Sequence, residues 1–183
     1  MKFTFLIIFL LALFSGCHKE SFDIKIYYPG SMTYGKASAA KEDKDWVASG
    51  IALRHDDKPN EFIGITLGTV SEEGFRRESI VFYKIPIARG EYMIKGNSPI
   101  YDGFVSAHYA ILADDGDLLE DSYVPSENLN NHLIITEIDT ISNFLRGTFN
   151  VTFELVNPDE RTNPQNPERI TFSNGIFEVQ IKE

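Results

Sequence analysis

Apolar and polar residues alternate with a period of two along much of this chain. The clearest stretch is residues 147–155, where the apolar positions are Phe149, Val151, Phe153 and Leu155. An antiparallel strand with one face on the core and the other in water produces this alternation. We therefore predict a strand here and, on weaker forms of the same pattern, at residues 22–28, 46–54, 60–70, 78–85, 105–111, 132–138 and 170–181.

Turn-forming residues separate these stretches, and no long stretch repeats apolar residues with the 3.6-residue period of a helix. Many short strands joined by turns are typical of a β-sandwich or barrel. We predict an all-β fold, an antiparallel β-sandwich of the Ig-like or jelly-roll-like kind. Residues 29–45, 126–131 and 156–169 have the composition of loops, and we expect the last to cross the end of the sheet. Asn174-Gly175 fits either a hairpin turn or a bulge in one long strand.

The N-terminus has the three parts of a secretory signal. Met1-Lys2 is basic, residues 3–14 are apolar except for Thr4, and small residues follow. A helix that spans a bilayer needs about 20 apolar residues, so this stretch is too short to be one. We predict a cleaved signal peptide rather than a buried core helix, since the apolar run has no polar face.

The residues before Cys17 indicate a lipid anchor. Leu13-Phe14-Ser15-Gly16-Cys17 resembles the lipobox of bacterial lipoproteins, although Phe14 stands where that motif usually has Leu. The resemblance implies cleavage before Cys17 and acylation of this residue. Each buried CH₂ contributes about 0.8 kcal/mol, so several acyl chains would hold the protein to a membrane. We predict a signal peptide over residues 1–16, the lipidated Cys17 with a tether over 17–21, and one β-sandwich domain over 22–183.

Composition limits the partners of the domain that remains. The chain has 27 acidic and 17 basic residues, and loss of Lys2 with the signal peptide would take its formal net charge from −10 to about −11. Such a surface repels nucleic acid, because proteins that bind nucleic acid need a basic patch on their surface. Cys17 is the only cysteine, so the domain cannot form an internal disulfide and must rely on its core.

Several short motifs occur in a fixed order after residue 45. They are Trp46 at a strand start, Gly90-Glu91-Tyr92, the run 134–139, Arg146-Gly147-Thr148-Phe149 and Thr171-Phe172-Ser173-Asn174-Gly175-Ile176-Phe177. Together they resemble an uncharacterised family of lipoproteins from Bacteroidota. The resemblance covers most of residues 46–183 and implies a β-sandwich on the outer membrane, with no activity assigned. Residues 118–131 exceed the family's usual connection. Asp139-Thr140-Ile141 also matches a short pattern glycosylated on Thr in exported proteins of this group, and an ordinary turn explains it equally well.

Candidate ligand-binding residues are of two kinds. Tyrosines that face solvent could stack on a sugar, and the candidates are Tyr27, Tyr28, Tyr92, Tyr101 and Tyr123; rings buried at sheet edges with wet hydroxyls are the alternative. Five acids crowd one segment and offer oxygen ligands to calcium: Asp114, Asp115, Asp117, Glu120 and Asp121. The EF-hand spacing is absent, and a solvated hairpin tip is the alternative.

No catalytic pattern is present. The four histidines show no zinc-binding spacing, and the Ser106–His108 proximity, with Asp102 nearby, does not make a triad because triads are recognised by geometry. We predict a non-enzymatic binding or accessory module of the cell envelope, without a cofactor. It would be held to the membrane through Cys17 and have an envelope protein or a glycan as its partner. A glycan-binding module for nutrient uptake and a hydrolase of unfamiliar type are the alternatives.

Overall fold

The computed structural model describes residues 34–96 and 103–182. The predicted signal peptide, Cys17 and the predicted strand at 22–28 lie outside these residues. The described chain is almost entirely β, as predicted, with one 3-10 helix at Pro158–Glu160. The strands are β1 Gly35–Lys41, β2 Lys44–Arg54, β3 Phe62–Val70, β4 Arg76–Pro86, β5 Gly90–Met93, β6 Ser106–Leu112, β7 Leu119–Pro125, β8 His132–Asp139, β9 Phe144–Leu155 and β10 Arg169–Lys182.

The sheet closes on itself, so the predicted sandwich is wrong. Around the ring the order is β1, β2, β3, β4, β6, β7, β9, β10, and β10 pairs again with β1. A sandwich would leave the outer strands of two sheets with free edges, whereas these eight strands form a closed barrel. Period-two alternation is common to both architectures because each has one face on the core. The pattern therefore could not distinguish them.

Strand β9 changes its partner part of the way along the barrel. Its residues 144–150 pair with β8 and its residues 153–155 pair with β7. The buried Asn131 lies at the change: its Nδ2 donates to the Ser126 carbonyl at 2.7 Å, and its Oδ1 accepts from the Thr152 main-chain N–H at 2.8 Å. This side chain supplies hydrogen bonds where the regular ladder is interrupted. Beyond β8, the short β5 and an Ile94–Val105 bridge complete the wall toward β6.

Large side chains fill the barrel. The Phe82 and Phe149 rings lie 5.4 Å apart, and Tyr109 contacts both Phe153 and Phe172 at 5.6 and 5.3 Å between ring centroids. Glycine makes room for them: a Cβ on Gly175 would lie 2.5 Å from the Phe149 ring. The interior is therefore a packed core rather than an open ligand cavity of the kind that larger barrels enclose.

Two bulges keep apolar residues facing inward where the spacing is odd. Asn174 has φ 53° and interrupts the register between Phe172 and Gly175, so the motif Asn174-Gly175 is a bulge within β10 and not a hairpin. Lys84, at φ 55°, lies where the β3–β4 register shifts. An extra residue in a strand restores the inward direction of the residues that follow it.

The prediction of a loop at residues 29–45 is wrong for its described part. Residues 35–41 form β1, which inserts between β10 and β2. Its inward positions are Ala37 and Ala39, whose small side chains give a weak alternation signal. A two-residue turn at Glu42 and Asp43, both at positive φ, connects it to β2 and has the twist that hairpins favour. The region 118–131 contains a further strand, β7, that we did not predict.

Candidate functional site

The two ends of the barrel differ in charge. Four connections lie at one end, here named the acidic end: β1–β2, β3–β4, β6–β7 and β9–β10. The segments around them, 41–45, 71–78, 113–121 and 157–169, hold fourteen acidic and six basic residues. The described chain begins at the opposite end, where the Gln180 N–H donates to the Tyr34 carbonyl at 2.7 Å. The acidic end is therefore the end opposite Tyr34.

Large apolar side chains are exposed at the acidic end. Phe75 in the β3–β4 turn is 47% exposed, and Leu118 and Leu119 beside the β6–β7 turn are 64% and 57% exposed. Val70, at the end of β3, is also exposed. We name these four residues the apolar turn surface. Exposed apolar groups that are grouped and rimmed by polar residues mark interaction sites in soluble domains.

Local hydrogen bonds order the β3–β4 turn. The Ser71 N–H donates to the Phe75 carbonyl at 2.8 Å, and the Ser71 hydroxyl accepts from the Phe75 N–H at 3.3 Å. Gly74 supplies the φ of 90° that the turn requires. A hydrogen bond from the Ser71 side chain also lowers the pKa of Glu73. The exposed Phe75 is therefore held by a formed turn.

The β6–β7 turn is ordered in the same way and docks against its neighbour. Asp115 Oδ1 accepts from the N–H groups of Asp117 and Leu118 at 3.0 and 3.3 Å. Gly116, at φ 75°, lies so close to Phe75 that an added Cβ would approach the Phe75 Cβ to 3.1 Å. Arg77 links the turns, with 2.7 Å between its Nη1 and Asp114 Oδ1. The two turns form one surface.

A polar cluster lies inside the barrel at this end. Glu78 accepts from Lys41 Nζ at 2.6 Å and from Trp46 Nε1 at 2.7 Å, and Lys41 also donates to the Tyr109 hydroxyl at 2.9 Å. Burial, followed by the Glu78 charge, raises the pKa of Tyr109. Each of these groups is engaged by another, and the cluster closes the end of the core.

The five candidate calcium ligands do not come together. Asp114 pairs with Arg77 and Asp115 orders its own turn, whereas Glu120 and the buried Asp121 both accept from Asn166 Nδ2, at 3.2 and 2.6 Å. Within the described residues no group of three or more His, Cys, Asp or Glu side chains has the geometry to hold a metal. Glu120 and Asp121 instead attach the β9–β10 connection to β7.

The β9–β10 connection, residues 156–168, lies against the end of the barrel as predicted for this loop. The Thr162 N–H donates to Asp121 Oδ1 at 3.0 Å, and the Tyr123 hydroxyl donates to the Pro167 carbonyl at 3.0 Å. Arg161 pairs with Glu168 at 2.7 Å. Burial and the neighbouring Asp121 carboxylate raise the pKa of Tyr123 to about 12.

The candidate aromatic platform is not assembled by the described tyrosines. Tyr123 is completely buried, because it points into the barrel, and its ring cannot stack on a ligand at the surface. Tyr92 is half-buried on β5, and its hydroxyl donates to the Ala88 carbonyl at 2.9 Å. Tyr27, Tyr28 and Tyr101 lie outside the described residues.

The remaining candidates occupy other parts of the wall. His108 points outward on β6 and shares a 2.7 Å hydrogen bond with Ser122; burial lowers its pKa. Asp102 lies outside the described residues. Thr140 is exposed in the β8–β9 turn, where Asp139 Oδ1 accepts from the Ile141 and Ser142 N–H groups. A bond from the Ser142 side chain lowers the pKa of Asp139.

Sequence reasoning missed the apolar turn surface. Its signal is present in Gly74-Phe75 and Asp117-Leu118-Leu119, where large apolar residues stand inside turn-forming segments. The fold was needed to show that these two segments, about 40 residues apart, are neighbours.

Fold and site together define a closed, packed β-barrel with an ordered and exposed apolar surface at its acidic end. No protein-family model, curated protein or solved structure matches this chain. The resemblance to a lipoprotein family therefore stays a prediction. Among residues 34–96 and 103–182, no helix has the length and apolarity to cross a membrane.

Proposed function

We propose that this protein is a membrane-anchored lipoprotein of the cell envelope whose barrel binds another macromolecule, without catalysis, through the apolar turn surface. The N-terminal pattern that ends in Cys17 supports the anchor, and the family resemblance supports the outer membrane. The described chain begins at the end of the barrel opposite this surface.

The observation that carries the binding role is the exposure of Phe75, Leu118 and Leu119 on two ordered turns. Full burial of such a side chain contributes about 1.5–3 kcal/mol, and these half-exposed residues forgo about half of it. Hydrogen bonds and the Gly116 contact fix the turns without burying these side chains. Preorganised apolar groups lose little entropy on association, which is what a recognition surface requires.

The engagement of the polar groups supports a role without catalysis. Glu78 is bound by Lys41 and Trp46, and Asp121 is bound by Asn166. A general acid or base must be able to reach a substrate proton, and these carboxylates already serve the fold. Hydrolysis of an envelope polymer that a single substitution abolishes would contradict the proposal.

The proposed lipid anchor on Cys17 is tested by metabolic labelling with radioactive palmitate. We expect label in the native chain and none in a Cys17→Ser variant, which should also keep its signal peptide. Label that persists in the Cys17→Ser variant would contradict the lipid anchor.

The binding role is tested by retention of envelope proteins on the purified full-length protein. We expect defined proteins, identified by mass spectrometry, to be retained by the native chain and lost with Phe75→Ser/Leu118→Ser. The control, Val47→Ser/Ile176→Ser, removes two comparably exposed apolar residues from the outer wall and should retain the same proteins. Equal retention by all three proteins would contradict this surface.

A further inference from the structure

We infer, on the basis of the proposed function, that the partner of the apolar turn surface is a cationic polypeptide segment with an apolar anchor. The two turns and their flanks, residues 70–77 and 113–119, contain five acidic and two basic residues. All five acids are exposed: Glu72, Glu73, Asp114, Asp115 and Asp117. The apolar residues are therefore framed by negative charge.

Two arginines oppose the five carboxylates of this frame, so its net charge stays negative. Arg77 is committed to Asp114 and to the Ala113 carbonyl, at 2.7 and 3.3 Å from its Nη1. Arg76 and Arg77 are half-buried beside the wall, whereas Glu72 and Glu73 are exposed on the turn beside Phe75. An approaching partner meets the carboxylates first.

Charge of one sign around an apolar patch selects the partner. Complementary charge speeds encounter and like charge excludes wrong partners. Nucleic acids, anionic lipids and acidic glycans are repelled from this end of the barrel. Small-molecule sites are concave, whereas this surface consists of turns that project from the barrel. A polypeptide that carries Lys or Arg next to Leu, Phe or Trp satisfies both the charge and the apolar contact.

The partner's apolar side chain would lie between Phe75 and Leu118, which the Gly116 contact brings to adjacent turns. Its basic side chains would reach Glu72 and Glu73 on one side and Asp115 and Asp117 on the other. Anchors of this kind carry most of the binding free energy, and the surrounding charges set specificity and rate.

The test uses the purified full-length protein and three labelled model peptides, composed of Lys and Leu, of Glu and Leu, and of Lys and Ser. Binding is measured by fluorescence anisotropy at low and high salt. We expect the Lys/Leu peptide to bind most tightly and to weaken as salt is raised. Equal affinity for the Glu/Leu peptide, or for the Lys/Ser peptide, would overturn the inference.

Three double variants locate the effect. Glu72→Lys/Glu73→Lys should raise the Kd for the Lys/Leu peptide about tenfold, and Glu72→Gln/Glu73→Gln should raise it less. Asp56→Lys/Asp57→Lys makes the same charge change in the β2–β3 loop at the opposite end and should leave the Kd unchanged. Unfolding temperatures confirm that each variant is folded. If both loops respond equally, the attraction is only to net charge and the inference fails.

The outcomes also separate this inference from the proposed function. If Phe75→Ser/Leu118→Ser weakens binding of the retained envelope partner but Glu72→Lys/Glu73→Lys does not, the surface binds without selecting cations. The inference is then overturned and the proposed function stands. If neither variant weakens binding of that partner, both are overturned.

Discussion

Replacing Asn131 tests how the barrel tolerates the partner change along β9. In Asn131→Leu, the Ser126 carbonyl and the Thr152 N–H lose their hydrogen bonds in a site where Asn131 is only 2% exposed. Leaving a buried polar group without a partner costs about 1–3 kcal/mol, so the two groups together should lower the free energy of unfolding by about 2–6 kcal/mol. This is a large part of the 5–15 kcal/mol typical of a domain.

The assay is urea unfolding followed by fluorescence of Trp46, the only tryptophan of the chain, which is buried in the native state. With a slope of about 1–3 kcal/mol per molar urea, the midpoint should fall by about 1 M or more. Asn131→Asp keeps an acceptor for Thr152, but it lacks the donor to Ser126 and buries a carboxylate, so its loss should be at least as large. The control is Asn130→Leu at an exposed position, with an expected change within about 0.5 kcal/mol. Equal midpoints for Asn131→Leu and Asn130→Leu would refute the reasoning.

Three further predictions follow from the core and from the perturbed pKa values. Gly175→Ala should lower the free energy of unfolding by about 2 kcal/mol or more, and the urea midpoint with it, because its Cβ would meet the Phe149 ring at 2.5 Å. The control is Gly64→Ala, whose Cβ would make an ordinary 3.5 Å contact and which should change the midpoint little. Burial lowers the pKa of His108, so as pH falls the unfolded chain binds a proton on this residue before the folded chain does. The free energy of unfolding should therefore fall as pH drops below about 6.5, and it should fall less in His108→Gln. Identical curves of urea midpoint against pH for the two proteins would contradict this expectation. The pKa of Tyr123 is raised to about 12, so its contribution is present below pH about 10 and lost as pH rises through 12. In absorbance and fluorescence titrations, Tyr123→Phe should lose stability less steeply than the native chain as pH rises. An alkaline transition identical to that of the native chain would contradict the assignment.

The sequence predicted the strands better than the way they close. The stretch at residues 147–155 became the C-terminal part of β9 because large apolar residues alternate there with polar ones. Residues 35–41 escaped prediction because their inward side chains are alanines, which the neighbouring large rings require. Closure into a barrel depends on which strand β10 pairs with, and the period of two is the same whichever partner it has. The bulge at Asn174 was an open alternative for the same reason, since either geometry puts Phe172 and Phe177 on one face.

The candidate site was harder to predict because it depends on contacts between distant segments. The five acids after residue 113 were recognised as a cluster, but Asp121 is buried on β7 whereas Asp114 is exposed in the β6–β7 turn, so they do not converge. A tyrosine is a residue type that can stack on a sugar, but the side chain of Tyr123 points into the barrel and belongs to the core. Phe75 and Leu118 become one surface only because β4 and β6 are neighbours in the barrel.

The most direct test of the central claim is site-specific photo-cross-linking in living cells, with a photoreactive amino acid at position 118 of the full-length protein. The same amino acid at position 47, on the outer wall and 72% exposed, is the control. We expect a discrete adduct from position 118 that disappears with Phe75→Ser and is absent from position 47. No adduct from position 118, or the same adducts from both positions, would contradict a binding role for the apolar turn surface.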